Sequence, residues 1–110
     1  MVERSRTAVL DDTYASLSHH VRREMVEILS ETPQRVTDVA APFDISLAAA
    51  SKHIRMLERA GLVERRISGR DHLLSLRAEP LEAIADWIDP YRRFWESKLD
   101  RLDKHFRRER

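Results

Sequence analysis

The sequence predicts a small, mainly α-helical domain with one β-hairpin and a long C-terminal helix. Three observations predict it. Apolar residues recur at spacings of three and four in short segments over residues 10–60. The period then shortens around Ser68-Gly69-Arg70-Asp71, which is typical of a hairpin turn. After Pro80 the helical spacing returns and continues almost to the end of the chain, so that a single domain over residues 1–110 accommodates every element.

Three short helices are predicted in the first part of the chain. Residues 1–10 are polar and aperiodic, and we expect a disordered arm there. The first helix is predicted over residues 11–17. The second follows Ser18 as its N-cap and ends before a proline. The third is a short helix over residues 38–41, with Thr37 as its cap.

The fourth predicted helix lies over residues 46–61. Ser46 is suited to cap its N-terminus, and Gly61 is suited to end it in the left-handed conformation. Its apolar residues fall on one stripe that is expected to face the core. The stripe consists of Leu47, Ala50, Ile54 and Leu57.

The hairpin is predicted over residues 62–77 and the long helix over residues 80–107. Apolar residues of this helix step by three or four and form a seam that is close to a heptad repeat. The seam consists of Ile84, Ile88, Tyr91, Trp95, Leu99, Leu102 and Phe106, widened by Trp87 and Phe94. Asp89-Pro90 interrupts it, either as a kink or as the start of a separate helix. Four helices, a hairpin and a long helix, in that order, form a winged helix-turn-helix.

Charge is distributed unevenly although its sum is only +1. Residues 46–70 hold six basic and two acidic side chains, a net of +4, whereas residues 1–45 sum to −3 and residues 71–110 to zero. Of the 20 basic residues, 17 are Arg, the side chain that makes forked contacts to phosphate and guanine. The clustered charge therefore indicates a polyanion partner.

Several classes of function lack support. Without cysteine, the chain has no disulfide, thiolate metal site or cysteine nucleophile. Ser51, His53 and Asp71 have no oxyanion loop beside them, so we predict no catalytic site, no cofactor and no enzyme. Asp103 and His105 point apart on a helix, which argues against a metal site. No run of about 18 apolar residues occurs and the N-terminus has no signal-peptide core, which favours a cytosolic protein.

Two stretches have the form of family motifs, LSHHVRREM over residues 17–25 and SKHIRMLERAGLV over residues 51–63. They resemble the opening motif and the recognition-helix signature of ArsR/SmtB-type bacterial repressors. Gly69-Arg70 stands where that family has its wing turn. The aromatic residues of the final helix further resemble a metal-free subgroup. The resemblance implies a homodimeric repressor that binds double-stranded DNA at a roughly palindromic operator.

The resemblance also implies that residues 47–49, 51 and 52 face DNA. Ala48 and Ala49 can read only shape and thymine methyls, and the family often has Gln, Ser or Thr at residues 47–49. We therefore expect moderate specificity that is helped by DNA shape. His53 either contacts a phosphate or covers a helix junction, and Arg55 either contacts the DNA backbone or is solvated.

The wing is predicted to contribute Arg70 near its tip. Because strand side chains alternate, Arg65 and Arg66 cannot both face DNA. The resemblance also implies that the pair Arg22-Arg23 is structural and either braces the fold or touches a phosphate. The predicted DNA-binding residues are Leu47, Ala48, Ala49, Ser51, Lys52, His53, Arg55, Arg66 and Arg70.

The terminal helix has more apolar surface than a monomer of this size can bury. Its seam is therefore predicted to pair with a second copy, together with the first helix. The predicted interface residues are Tyr14, Trp87, Tyr91, Trp95, Leu99 and Leu102. There are two alternatives to this pairing. The stripe completes the monomer core, or the aromatic residues line a pocket for a small apolar ligand.

Two other functions stay open. The apolar start of the fourth helix also suits a winged-helix module that binds a protein partner. A metal-responsive repressor is the third candidate. The sequence predicts neither the operator, the regulated genes nor an effector.

Overall fold

The computed structural model describes residues 5–108 and has the predicted order of elements, with one added strand. The elements are α1 (Arg6–Ser16), α2 (His20–Glu31), β1 (Gln34–Arg35), α3 (Val36–Ala40), α4 (Leu47–Arg59), β2 (Val63–Ser68), β3 (Asp71–Leu76), α5 (Glu79–Ile88), a 3-10 helix (Asp89–Tyr91) and α6 (Arg92–Arg108). This mainly helical fold with a small antiparallel sheet confirms the predicted fold class.

α1 begins five residues earlier than predicted, at Arg6 rather than residue 11. Ser5 caps it, since its Oγ accepts a hydrogen bond from the backbone N of Ala8 at 3.1 Å. Arg6 also forms an ion pair with Asp86 of α5, the helix on which α1 packs. The predicted disordered arm is therefore wrong for residues 5–10, and residues 1–4 lie outside the described residues.

The starts of α2 and α3 also differ from the prediction. His19, not Ser18, caps α2, because its Nδ1 accepts a hydrogen bond from the backbone N of Val21 at 3.1 Å. α3 begins at Val36 without a side-chain cap, so Thr37 lies inside the helix and is not its cap. Both differences shift a boundary by one or two residues and leave the helices in place.

The core lies between α2, α4 and the sheet. Its largest fully buried side chains include Met25, Ile54, Leu57, Leu62 and Leu74. Full burial of such a side chain stabilises a fold by roughly 1.5–3 kcal/mol. This core holds α4 by one side only, which leaves its other side exposed.

The wing, residues 62–77, is an antiparallel hairpin in which Val63 pairs with Leu76 and Ser68 with Asp71. Gly69 closes its turn with φ +62°, a conformation that favours glycine. Gly61 has φ +79° directly after α4, as the sequence predicts for a helix stop. The unpredicted strand β1 pairs with the outer side of β3, which gives the order β1-β3-β2.

The long C-terminal segment is a pair of helices and not one continuous helix. Pro90 lies in the 3-10 helix that separates α5 from α6, where its missing N–H leaves no helical hydrogen bond unmade. The Cα radius of gyration is 17.9 Å, whereas about 13 Å is typical of a chain of this length. The excess arises because α6 extends away from the body. Nowhere in residues 5–108 is a helix both long enough and apolar enough to cross a lipid bilayer.

Candidate nucleic-acid interface

α4 is held by its buried side and capped at its start. The buried side consists of Ala50, Ile54 and Leu57. Ser46 Oγ accepts a hydrogen bond from the backbone N of Ala49 at 3.0 Å, which confirms the predicted cap. Leu47 is 56% exposed, so its predicted place on the inward stripe is wrong. The physical reason is that the first turn of α4 extends beyond the side chains that form the core.

The exposed side of α4 carries most of the predicted DNA contacts. Leu47, Ala48, Lys52 and Arg55 are exposed, whereas Ala49, Ser51 and His53 are half-buried. Residues 48, 52 and 55 are spaced by four and three, so they share one face of the helix. α3 packs against α4 on the other side of a short turn, which is the arrangement of a helix-turn-helix.

His53 lies in a cluster of histidines at the junction of α2 and α4. Its ring centroid is 4.6 Å from that of His19, which stacks on His20 at 5.0 Å. Nδ1 of His53 lies 2.9 Å from Nη1 of Arg22 and accepts a hydrogen bond from this guanidinium. Burial, followed by the nearby His19, Arg22 and His20, lowers the pKa of His53. His53 therefore covers the helix junction, and its contact with phosphate stays a prediction.

Arg22 and Arg23 brace the end of α1. Arg22 is buried, and its Nε donates a hydrogen bond to the carbonyl oxygen of Ser16 at 2.6 Å. Arg23 Nη1 donates to the carbonyl oxygen of Leu17 at 2.7 Å. Both cations satisfy carbonyl groups at a helix C-terminus, where positive charge is favourable. This is the structural function that the sequence predicts for the pair.

Arg65 connects the wing to α4. Its Nη2 lies 2.8 Å from Oε1 of Glu58 and its Nε lies 3.3 Å from Oε2, so both carboxylate oxygens are engaged. Its Nη1 lies 3.0 Å from Nδ1 of His72. Arg66, the next residue on β2, is exposed. The two arginines therefore have different environments, and Arg66 is the one whose guanidinium is accessible.

The tip of the wing presents Arg70 beside a polar cleft. The cleft, of about 370 Å³, is lined by Arg35, Val36, Thr37, Arg65, Arg70, Asp71 and His72. Arg35 Nη2 is 3.7 Å from Oδ2 of Asp71. The sequence did not indicate Arg35, because a long-range pairing of β1 with β3, with Arg35 opposite Leu73, brings it to the wing. A two-residue strand leaves no periodic signal from which this could be read.

A second, apolar surface runs along α1, α5 and α6. The ring of Tyr14 meets Trp87 edge-on at 6.1 Å, and Trp87 lies 5.6 Å from Tyr91. Trp87 is 52% exposed and Leu99 is 59% exposed. All six predicted interface residues are exposed to a comparable extent: Tyr14, Trp87, Tyr91, Trp95, Leu99 and Leu102. The alternative that these side chains complete the monomer core is therefore wrong.

A cleft of about 250 Å³ separates α1 from α5 near this apolar surface. Its lining includes Trp87 but not Tyr91, Phe94 or Trp95, so the aromatic residues do not enclose one shared pocket there. Within the part of the chain that the structure describes, no three histidine, aspartate or glutamate side chains are arranged to hold a metal ion.

Comparisons with known proteins agree with this geometry. A family described as a helix-turn-helix domain matches residues 17–66. The HTH-type transcriptional regulator Rv2034 of Mycobacterium tuberculosis is 32% identical over 89 residues, which cover 81% of this chain and 80% of that protein.

Solved structures give the same result. The ArsR family transcriptional regulator RHA00566 superposes with a TM-score of 0.74 at 30% identity, covering 88% of this chain and 98% of that one. A possible transcriptional regulator for arsenical resistance superposes with a TM-score of 0.67 at 35% identity, covering 83% of this chain and 92% of that one. Both superpositions therefore extend well beyond the helix-turn-helix itself.

Proposed function

The chain belongs to the ArsR family of winged helix-turn-helix transcriptional regulators, which bind DNA, and we propose that it acts as a homodimeric repressor of a roughly palindromic operator. In this proposal one α4 enters the major groove in each half of the operator. The bound dimer then occludes the promoter. In this proposal the protein acts in the cytoplasm, where it meets its operator.

The observation that carries the proposal is the exposed side of α4 next to an accessible, arginine-bearing wing. An α-helix fits the major groove of B-DNA, with its N-terminal residues nearest the base edges. Lys52 and Arg55 are exposed on α4, where they can reach phosphates or guanine. Arg66 and Arg70 are exposed on the wing, where they can reach flanking phosphates or a narrow minor groove. Arg35, beside the wing tip, is a further candidate for a phosphate contact.

The dimer is supported by the apolar surface of α1, α5 and α6. α6 extends from the body and exposes Leu99, Leu102 and Phe106. In a monomer these side chains would stay in contact with water, which is unfavourable compared with burying them in a dimer interface. A two-fold axis lets the same surface pair with itself. In the proposed dimer the two copies of α4 lie on one side, about 34–36 Å apart, so that they can enter successive major grooves.

Selection of bound duplexes from a random-sequence pool tests this proposal, because the pool contains every candidate operator. We expect enrichment of an inverted repeat whose half-site centres are about 10–11 base pairs apart. Fluorescence anisotropy then compares the selected duplex with a scrambled duplex of the same composition. Absence of any enriched sequence, together with equal affinity for both duplexes, would overturn the sequence-specific function.

A protein partner for the helix-turn-helix surface is the second candidate. It is favoured by one observation, the exposure of Ile45 and Leu47 at the start of α4. The double variant Lys52→Glu, Arg70→Glu separates the two candidates, because it reverses charge without changing these apolar residues. DNA binding should be lost in this variant, whereas a partner held by apolar contact should still bind. Lys98→Glu on α6 is the control for a change of surface charge.

A further inference from the structure

The first turn of α4 is an apolar area on an otherwise polar and cationic surface. Leu47 is 56% exposed and Ala48 is exposed beside it. The hydroxyl of Ser46 caps the helix through the backbone N of Ala49. Lys52 follows Ala48 by one turn on the same exposed side. Within this turn, the side chains that project from the body therefore offer apolar contact.

Base edges in the major groove offer few partners for such contact. Adenine, guanine and cytosine present hydrogen-bonding groups, whereas thymine also presents a C5-methyl group. A leucine pressed against a polar edge would remove water from that edge without replacing its hydrogen bond, which is unfavourable. Against a thymine methyl, the same leucine buries apolar surface on both sides.

We propose that Leu47 is a specificity-determining residue that reads the C5-methyl group of a thymine in each half-site. This inference rests on the proposed function and deepens it, because it assigns a base and a chemical group to the first turn of α4. Ala48, with its smaller side chain, lets the helix approach the groove closely enough for the contact. The apolar start of α4 thus supplies base discrimination by shape and methyl contact.

Replacement of thymine by deoxyuridine in the selected duplex tests the inference. Deoxyuridine keeps every hydrogen-bonding group of thymine and lacks only the methyl. We expect one symmetric pair of thymines at which replacement lowers affinity by about fourfold per half-site and about 15-fold in both. Replacement of thymines elsewhere in the duplex should leave affinity within about twofold, since their methyls do not meet the Leu47 side chain.

Leu47→Ala is the matching protein variant. It should reduce the ratio of thymine to deoxyuridine affinity at that pair to below about twofold, because the side chain that contacts the methyl is gone. Met56→Ala is the control, since Met56 is also exposed and apolar and lies on the opposite side of α4. It should keep the full ratio. Both residues are exposed, and thermal unfolding checks that each variant is folded.

The outcomes separate the inference from the proposed function. A selected duplex that binds specifically but tolerates deoxyuridine everywhere would overturn the inference alone. It would also favour a protein partner for Leu47. Failure to select any sequence would overturn the proposed function. A methyl effect that persists in Leu47→Ala would assign the reading to another residue and likewise overturn the inference.

Discussion

Salt dependence gives a quantitative prediction for the proposed DNA surface. Four of the predicted DNA-binding residues on α4 and the wing are exposed cations in each protomer: Lys52, Arg55, Arg66 and Arg70. If all four contact phosphates, a dimer neutralises about eight, and the slope of log K against log salt concentration is about −7. Affinity should then fall about 10⁴-fold between about 50 mM and about 200 mM salt.

Single neutral variants test which cations contribute. Lys52→Gln removes two phosphate contacts per dimer, so it should reduce the slope to about −5.4 and the loss over the same salt range to about 10³-fold. Arg70→Gln should have an effect of the same size. Anisotropy titrations of a labelled operator duplex at several salt concentrations measure these slopes.

Lys98→Gln is the matched control for this measurement. Lys98 is exposed on α6, away from α4 and the wing, so its loss should leave the slope unchanged within about 0.5. A wild-type slope shallower than about −3 would contradict eight phosphate contacts per dimer, because fewer than about four phosphates would then be neutralised. Equal effects of Lys98→Gln and Lys52→Gln would refute the placement of the surface.

Three further predictions concern stability and assembly. The pKa of His53 is lowered in the fold, so the unfolded chain binds a proton before the folded chain does as pH falls below about 6.5. The Tm of the wild type should therefore fall with acidification. The Tm of His53→Gln should fall less steeply. Arg22→Met removes charged hydrogen bonds to Ser16 and His53, so it should destabilise the fold by about 3 kcal/mol, seen as a lower midpoint in urea. Leu99→Glu should give a monomer in sedimentation velocity, since a carboxylate in the apolar surface opposes its burial.

Each of these predictions has an outcome that contradicts it. Equal acid sensitivity of the wild type and His53→Gln would show that other groups dominate the pH dependence. Arg23→Met is the control for Arg22→Met, because the side chain of Arg23 is exposed and its guanidinium donates to the carbonyl oxygen of Leu17. Equal destabilisation by the two changes would contradict the importance of burial. A dimer that persists in Leu99→Glu would place the interface elsewhere.

Local chemistry made much of the fold predictable. Ser46 and Gly61 mark the two ends of α4, as the sequence predicted. A capping hydroxyl and a left-handed glycine act on neighbouring residues, so their effect can be predicted locally. Gly69 marks the wing turn for the same reason. The seam after Pro80 is long enough for its helical period to be read directly, although the period did not decide how Asp89-Pro90 divides the segment into α5 and α6.

The structure differs from the sequence-based prediction where contacts between distant parts of the chain decide the local structure. Residues 6–10 have little apolar periodicity, yet the ion pair of Arg6 with Asp86 and packing on α5 accompany a helix there. Leu47 fits the inward stripe by spacing alone, but the core does not extend to the first turn of α4. Arg35 reaches the wing only through the pairing of β1 with β3. Periodicity reports the faces of an element and does not report how far its neighbours extend.

The proposed function requires that this protein recognises a particular DNA sequence through α4 and the wing. The most direct test is the ratio of affinities for the selected duplex and for a scrambled duplex, measured by anisotropy competition at physiological salt. We expect a ratio of at least about 10³ for the wild type, and an affinity for the selected duplex that falls by more than tenfold in the Lys52→Glu, Arg70→Glu variant. A wild-type ratio near one, or an affinity for the selected duplex that the variant leaves unchanged, would overturn the proposal.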